Sequence, residues 1–338
     1  MGATAIALAF AALATVWFLA QPLMLVFAAI AIGEALSPLV ARLEQRIPRT
    51  LSIGLVYAAF VGLLTALGWF VWPRLSRQVD DVSEVVPRLA EEIPEFAQRW
   101  DPTEDGALVE AAQQNVDQIG GFLLSVPVTV VSSVVHVVLV LVLSGYWLVT
   151  SPSLGRFFRS LFPDESLPKV DDVIGKLQSS VGGYVRGQAI VALAVGAITY
   201  TGLVIIGVEY AIVLAIIAGI GEIFPVIGAI VAAIPALGVA LTESPAQAVQ
   251  VAIFYVILQQ IESHILMPAT MSQTAKVPPL LSVIAIFVGG SLAGLLGAVV
   301  AIPLAGALKM LATEVFAPAI RRWSGGHELP EEAADSSG

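Results

Sequence analysis

One stretch of the chain is apolar enough for a membrane helix, yet residues that end helices break it in the middle. Residues 218–235 read AGIGEIFPVIGAIVAAIP, in which glycines, two prolines and one carboxylate interrupt an apolar run. A spanning helix needs roughly 20 apolar residues, and a break is tolerated only where protein or a water-filled cavity satisfies the freed backbone groups. The stretch therefore predicts a broken membrane helix, which is typical of a transporter binding site.

A second stretch repeats this pattern 68 residues later in the chain. The shift places Ile234-Pro235 on Ile302-Pro303 and also superimposes two pairs of glycines. Matching interrupted segments predict two broken helical hairpins, residues 209–241 and 280–311, related as an inverted repeat. The alternative is a chance similarity between two segments rich in Gly, Ala and Ile. The predicted break residues are Gly221, Pro225, Gly228, Pro235, Gly290, Gly294, Gly297 and Pro303.

Composition decides the class of protein. With 57% hydrophobic and 12% charged residues, the chain is far from the averages of soluble globular domains. It is predicted to be an all-α polytopic membrane protein with about eight membrane segments and a small helical extramembrane segment.

The absence of cysteine excludes disulfides and thiolate metal sites, and three scattered histidines argue against structural zinc. A net charge of −10 argues against nucleic acid as a partner, and no cofactor is predicted.

Changes in composition along the chain predict its organisation. The first part holds two apolar runs separated by Gln21-Pro22, predicted to form a hairpin or a kinked helix pair, and then a third run. A later membrane helix carries His136 at its middle, and one of the following segments is amphipathic and basic. The predicted parts are N-terminal membrane helices 1–72, extramembrane segment 73–120, membrane helix 121–150, cytoplasmic linker 151–183, transport core 184–316 and polar tail 317–338.

Residues 73–120 carry eleven acidic residues against four arginines, so this segment is predicted to lie in water. Its apolar residues alternate at spacings of four and three, which is the seam of a coiled coil or of helix-on-helix packing. Pro87 and Pro94 interrupt the seam and predict broken helices. One interpretation is a subunit contact or gating module in a homo-oligomer. The other is a helix that lies back on its own membrane domain.

The positions of the basic residues predict the topology. Arginine and lysine are dense in residues 42–49, 156–176 and 321–322, whereas the turns at residues 207–208 and 242–245 carry none. Cytoplasmic loops of membrane proteins carry an excess of these residues. Both termini are therefore predicted to be cytoplasmic, with residues 73–120 outside.

Polar residues inside the apolar segments are the candidate transport path: Glu222, Glu262, Gln188, Gln259 and Gln260. An ionised carboxylate in the bilayer costs at least about 2.5 kcal/mol, so it persists only beside a cavity, a partner charge or a proton. At least one of the two glutamates is predicted to exchange a proton or bind a cation. Two structural alternatives remain open. Glu222 could cap a half-helix, and the group around Glu262 could mark the cytoplasmic end of a span.

Short motifs in a fixed order carry a family resemblance. They are Ser37-Pro38-Leu39, Gly187-Gln188, GVEYA at 207–211, IFPVIG at 223–228, Ile234-Pro235, QQIE at 259–262, Met267-Pro268, PPLL at 278–281, GLLG at 294–297 and AIPL at 301–304. Over nearly the whole membrane part, the chain resembles the autoinducer-2 exporter superfamily. Glu222 and Val226 depart from that family's pattern, where a polar uncharged residue and an aromatic are common.

The resemblance implies a transporter, and not an enzyme, in the inner membrane of a bacterium or archaeon. Its cargo is expected to be a small polar solute or signalling molecule, exported by alternating access. Family members that exchange sodium or lithium for protons supply the first alternative. The second alternative is an oligomeric membrane scaffold or pore that does not transport.

Overall fold

The structure is a computed structural model that describes residues 2–66, 68, 69, 73, 137–224, 227–271, 277–318 and 320. Several predictions therefore lie outside the described residues. These are the seam in residues 73–120, the position of His136, the break at Pro225, and the polar tail beyond residue 320.

Helices make up the regular structure of the described part of the chain. Their bounds are α1 Gly2–Glu44, α2 Arg49–Ala66, α3 Val137–Arg159, α4 Leu167–Ile206, α5 Ala211–Gly221, α6 Ile227–Glu243, α7 Pro245–Ile261, α8 Met267–Met271 and α9 Pro279–Leu311. A 3-10 turn at Asp164–Ser166 precedes α4, and π-helical turns follow α7 at Glu262–Leu266 and α9 at Ala312–Phe316. The predicted all-α class is confirmed for these residues.

Six of the helical segments are long and apolar enough to cross a membrane, and α5 and part of α6 are shorter apolar helices. The two N-terminal apolar runs form one helix, because α1 continues through Gln21 and Pro22. The hairpin alternative at this point is therefore wrong. Proline is tolerated inside a membrane helix when neighbouring groups satisfy the backbone carbonyl that it leaves free.

The described residues fall into two compact units, and each is considered by itself. The first unit comprises Met1–Ser37, Tyr146–Val185 and Gln273–Gly338. Ala31 of α1, Val181 of α4 and Ala307 of α9 form a small buried cluster in it. Small side chains at such contacts allow membrane helices to approach closely.

The second unit comprises Pro38–Gly145 and Arg186–Ser272, and it contains the larger apolar core. Ala232, Ala236 and Ala240 of α6 lie four residues apart on one helix face and are fully buried. Helices α4 and α5 approach each other closely, because Gly196 lies against the Ala215 carbonyl and Gly219 against the Ala192 carbonyl. Dispersion between closely packed backbones stabilises such contacts in lipid, where hydrophobic burial contributes little.

A tight turn joins α4 to α5 and sends the chain back. Gly207 has a φ of 84°, and its N–H donates to the Leu203 carbonyl. The backbone N–H of Val208 also donates to Leu203, so the turn satisfies carbonyls that the end of α4 leaves free. Tyr210, with a φ of 56°, then leads into α5. The turn fixes where the first broken hairpin begins.

Candidate functional site

The first hairpin is built on a contact between two glycines. Helix α5 ends at Gly221 and α6 begins at Ile227, and the backbones of Gly221 and Gly228 touch. A Cβ on Gly221 would lie 3.0 Å from the Gly228 carbonyl oxygen, and one on Gly228 would overlap the Gly221 carbonyl. The two arms approach this closely only because neither residue has a side chain.

The second hairpin lies within α9, where the helical backbone is interrupted at Ala293 and Gly294. Gly294 has a φ of 59° and a ψ of −142°, a conformation accessible essentially to glycine alone. A Cβ on Gly289 or Gly297 would overlap the other's backbone, so these two form the close contact. Gly290 lies beside the contact, near the Ala298 side chain.

The two glycine pairs differ in spacing by one residue. Gly221 and Gly289 coincide under the shift of 68, but Gly228 falls on Leu296, and the partner of Gly289 is Gly297. The second turn is therefore one residue longer. Pro235 and Pro303 are buried inside α6 and α9, beyond the glycine contacts, so they do not form the breaks themselves.

Glu222 follows α5 directly, at the turn of the first hairpin, and is fully buried. Its backbone N–H donates to the Ala218 carbonyl at 3.2 Å, so the residue lies at the C-terminal end of a helix. In the described part of the chain, neither carboxylate oxygen has a hydrogen-bond partner. A capping carboxylate would accept backbone N–H groups at a helix N-terminus, so this geometry argues against the capping alternative.

Gln188 of α4 contacts Glu222 directly. Its side-chain amide donates to the Glu222 backbone carbonyl. The residue is only 8% exposed, and its Oε1 is buried with no partner among the described residues. Three buried oxygens, two from Glu222 and one from Gln188, therefore receive no hydrogen bond from the part of the chain that the structure describes.

Glu262 occupies the first position of the π-helical turn after α7 and is 2% exposed. The Gln259 side chain donates to its carboxylate at 3.3 Å. Glu262 lies near enough to Glu222 for the charges of the two carboxyl groups to interact. A single π-helical turn inside a helix is frequent at functional sites.

The structure does not bring every candidate into this group. Gln260 is exposed, and its backbone carbonyl lies 3.1 Å from Nδ1 of His264, which is exposed as well. Gln188, Glu222, Gln259 and Glu262 therefore form the candidate site, and Gln260 stays outside it.

The site is rich in acceptors and poor in donors. Buried polar groups normally find partners, and a buried carboxylate is costly without a proton or a counter-charge. No ion pair reaches Glu222 or Glu262 from any residue that the structure describes, and these residues contain no group of three His, Asp or Glu that could hold a metal ion. A proton, a monovalent cation or a solute with donor groups would complete the arrangement chemically.

A third buried carboxylate among the described residues, Glu34, was not identified as a candidate from the sequence. It lies on α1 in the first unit, 8% exposed, and accepts hydrogen bonds from Trp147 Nε1 at 2.9 Å and Gln178 Nε2 at 3.2 Å. A Cβ on Gly182 would lie 2.6 Å from the Glu34 carbonyl oxygen, so α1 and α4 are in backbone contact there. The sequence could have identified Glu34, because a carboxylate inside an apolar run is costly in a membrane and is a candidate functional residue.

The long apolar helices define a polytopic helical membrane protein, and glycine-paired hairpins with buried carboxylates are features that transporters of this class share. The chain belongs to the AI-2E family of transporters, because the family's profile matches residues 6–317.

Individual relatives agree with this assignment. The chain is 28% identical over 292 residues to "Putative transport protein YueF" of Bacillus subtilis, covering 81% of this chain and 78% of that protein. It is 24% identical over 275 residues to "Putative permease PerM" of Escherichia coli K12, covering 77% and 78%. A "Sodium-lithium/proton antiporter" of Halobacillus andaensis is 24% identical over 277 residues, covering 75% and 77%.

Proposed function

We propose that this family member is a secondary transporter that exports a small polar solute by alternating access, with Glu222 and Glu262 on its transport path. At least one of the two glutamates exchanges a proton or binds a co-transported cation. The observation that carries the proposal is the buried cluster of Glu222 and Gln188, whose side-chain oxygens accept no hydrogen bond from the described residues. Such a cluster is stable only when a proton, a cation or a ligand occupies it.

The geometry of the first hairpin supports a re-entrant path. The 11 residues of α5 rise by only about 16 Å, roughly half the hydrocarbon thickness of a bilayer. Glu222, at the end of this short helix, would therefore lie near the middle of the bilayer. Broken helices near the bilayer midplane are the usual place for a transported ion or solute. The sequence contains no Walker A motif, so transport would follow an ion gradient or the solute's own gradient.

A sodium or lithium/proton antiporter is the second candidate. The deficit of donors around Glu222 suits a small cation as well as a polar solute, and one relative carries this activity in its name. A scaffold or pore without transport is the third. A scaffold role gives no reason for the fully buried Glu222 carboxylate, which has no hydrogen-bond partner in the described ranges.

Purified protein in liposomes is expected to move a probe that protein-free liposomes retain. Two probes separate the candidates: counterflow of a labelled furanone signal, and collapse of a pH gradient on adding lithium or sodium. Furanone counterflow alone supports the exporter, and cation-driven proton movement alone supports the antiporter. If neither probe moves, the scaffold is favoured. Leakage of an inert dye of similar size is the control, because a pore would pass it and a carrier would not.

We further propose that the protein lies in the inner membrane of a prokaryote, with both termini cytoplasmic. The chain has no native cysteine, so single substitutions report topology without background. In intact cells, a membrane-impermeant thiol reagent is expected to label Glu104→Cys and to leave Lys169→Cys unlabelled. Both should react after the cells are opened. Labelling of position 169 with protection of position 104 would invert the topology.

The proposed homo-oligomer rests on the seam of residues 73–120 and on the family resemblance, and it stays a prediction. The proposed partners of the chain are the lipid bilayer, further copies of itself, and a small-molecule or monovalent-cation substrate.

A further inference from the structure

One face of α4 carries a stripe of three positions with polar groups, namely the buried side chains of Gln188 and Thr199 and the backbone carbonyl of half-buried Ile206. Thr199 lies 11 residues after Gln188, and Ile206 lies 18 residues after it. At 3.6 residues per turn, the three positions fall within about 20° of one another around the helix, along about 27 Å of its length. That length is close to the thickness of the hydrocarbon core.

Thr199 is an unusual member of the stripe. It is fully buried, and its hydroxyl has no hydrogen-bond partner among the described residues. Thr201, two residues further on, is exposed, and its hydroxyl donates to the Ala197 carbonyl at 2.8 Å. Threonine in a helix usually makes such a bond to its own backbone. The Thr199 hydroxyl therefore remains available for a hydrogen bond that no described residue supplies.

Gln247 of α7 lies at the far end of the stripe. Its Nε2 donates to the Ile206 carbonyl at 3.5 Å, beside the turn at Gly207. Its Oε1 is buried and, like the Thr199 hydroxyl, has no partner in the described part of the chain. Unpartnered buried groups thus occur at the start, the middle and the end of the stripe. Groups of this kind in a native structure call for an unseen water, ion or ligand.

We propose that this face of α4 is a hydrated path that joins the Glu222 site to the α4–α5 turn at Gly207. Thr199 binds water midway along it. This inference rests on the proposed function, because it is the opening of a transporter that would admit water here. Gln188, Thr199 and Gln247 supply the polar contacts on the path.

The packing around Thr199 shows that the path is closed in this structure. Val195 and Leu203, one turn away on either side, are 1% and 0% exposed and belong to the apolar core. Water can reach the hydroxyl only when the helices packed around α4 separate. The contact of α4 with α5 is made by Gly196 and Gly219, so no interlocking side chains hold these two helices together at that point. Alternating access requires a closed and an open arrangement, and the glycine contact is suited to both.

Cysteine labelling tests the path without knowledge of the substrate. A charged, water-borne thiosulfonate is expected to modify Thr199→Cys in the purified protein. It should spare Thr201→Cys, because an exposed position on a membrane-spanning helix faces lipid or detergent and not water. Glu243→Cys, which is exposed at the end of α6, is the positive control for the reagent. No reaction at position 199 would overturn the proposal, because a dry core excludes the reagent. Reaction at both 199 and 201 would overturn it too, since it would indicate general opening of α4.

A second pair of variants gives an independent readout. Thr199→Val removes the hydroxyl but keeps the shape of the side chain, and Thr201→Val is the matched control. We expect Thr199→Val to unfold at the same or a higher temperature and yet to lower the flux of the probe that the wild type moves by about two- to tenfold, the effect of one lost hydrogen bond. Thr199→Ser should restore the flux. Unchanged flux in Thr199→Val would contradict the path.

Failure of this proposal differs from failure of the proposed function. If the wild-type protein moves neither probe in liposomes, the transport proposal fails, and the labelling result still decides whether water reaches position 199. If transport responds to changes at Glu222 while both tests at position 199 are negative, the path alone is wrong.

Discussion

Replacing Glu222 with glutamine is expected to lower transport in liposomes by about ten- to hundredfold, the range of one lost charge-assisted interaction. The rate that remains should lose its dependence on the protonation of this residue. Glutamine keeps nearly the same shape and an acceptor oxygen, but it cannot take up or release a proton and carries no charge. Because the carboxylate oxygens have no protein partner among the described residues, the substitution breaks no hydrogen bond that supports the fold. The measurement is initial flux across a range of pH.

Two further variants make this result specific. Glu262→Gln should have a similar but smaller effect, because Glu262 already accepts a hydrogen bond from Gln259. Glu243→Gln applies the same chemical change at an exposed helix end and should leave transport unaltered. Thermal unfolding of each purified variant confirms that the protein is folded. If both buried variants retained the wild-type rate and the wild-type pH profile, the two carboxylates would be structural and proton coupling would be excluded.

Gly228→Ala is expected to give the largest loss of stability among single changes in the hairpins. The added Cβ would overlap the Gly221 carbonyl, and backbone cannot move aside as a flexible side chain can. Overpacking of this kind costs about 3 kcal/mol, and the arms of the hairpin would have to separate. Flux should fall together with the unfolding temperature, because Glu222 lies at the turn between the two arms. Thermal unfolding in detergent, at one fixed scan rate, measures the first effect.

Gly238→Ala is the matched control on the same helix. A Cβ at Gly238 would meet nothing within 4 Å, so this substitution should change stability by no more than about 1 kcal/mol. Gly297→Ala offers a replicate in the second hairpin, where the new Cβ would overlap the Gly289 carbonyl. Equal unfolding temperatures for Gly228→Ala and Gly238→Ala would show that the glycine contact does not hold the hairpin together.

The main features of the fold could be predicted because membranes impose simple rules. Long apolar runs predicted helices that can span, and glycines inside such runs predicted the breaks. Prolines were less informative. Pro22, Pro235 and Pro303 all lie inside helices, since a proline in an apolar helix needs only one carbonyl to be satisfied elsewhere. Glycines predict the positions of the breaks better than prolines do, because only glycine permits the backbone contacts seen here.

The candidate site was predictable to the extent that charge is costly in lipid. That cost singled out Glu222 and Glu262, and the structure brings them near each other. Gln260 was grouped with them by closeness in sequence, but its position on the helix turns it outward. Thr199 was missed, because a hydroxyl in an apolar helix usually bonds to its own backbone and gives no signal in the sequence. Its significance depends on a missing partner, which only coordinates can reveal.

The glycine contacts have a consequence for how such a transporter can change over generations. Each hairpin is held by a pair of glycines that accept almost no replacement, whereas the Glu222 carboxylate makes no hydrogen bond to any residue that the structure describes. Single mutations can therefore change the side chains that line the transport path and leave the two hairpins intact. Descendants of one ancestral protein could acquire different cargoes in this way, which would explain how relatives named as a permease and as a sodium-lithium/proton antiporter can resemble the same chain.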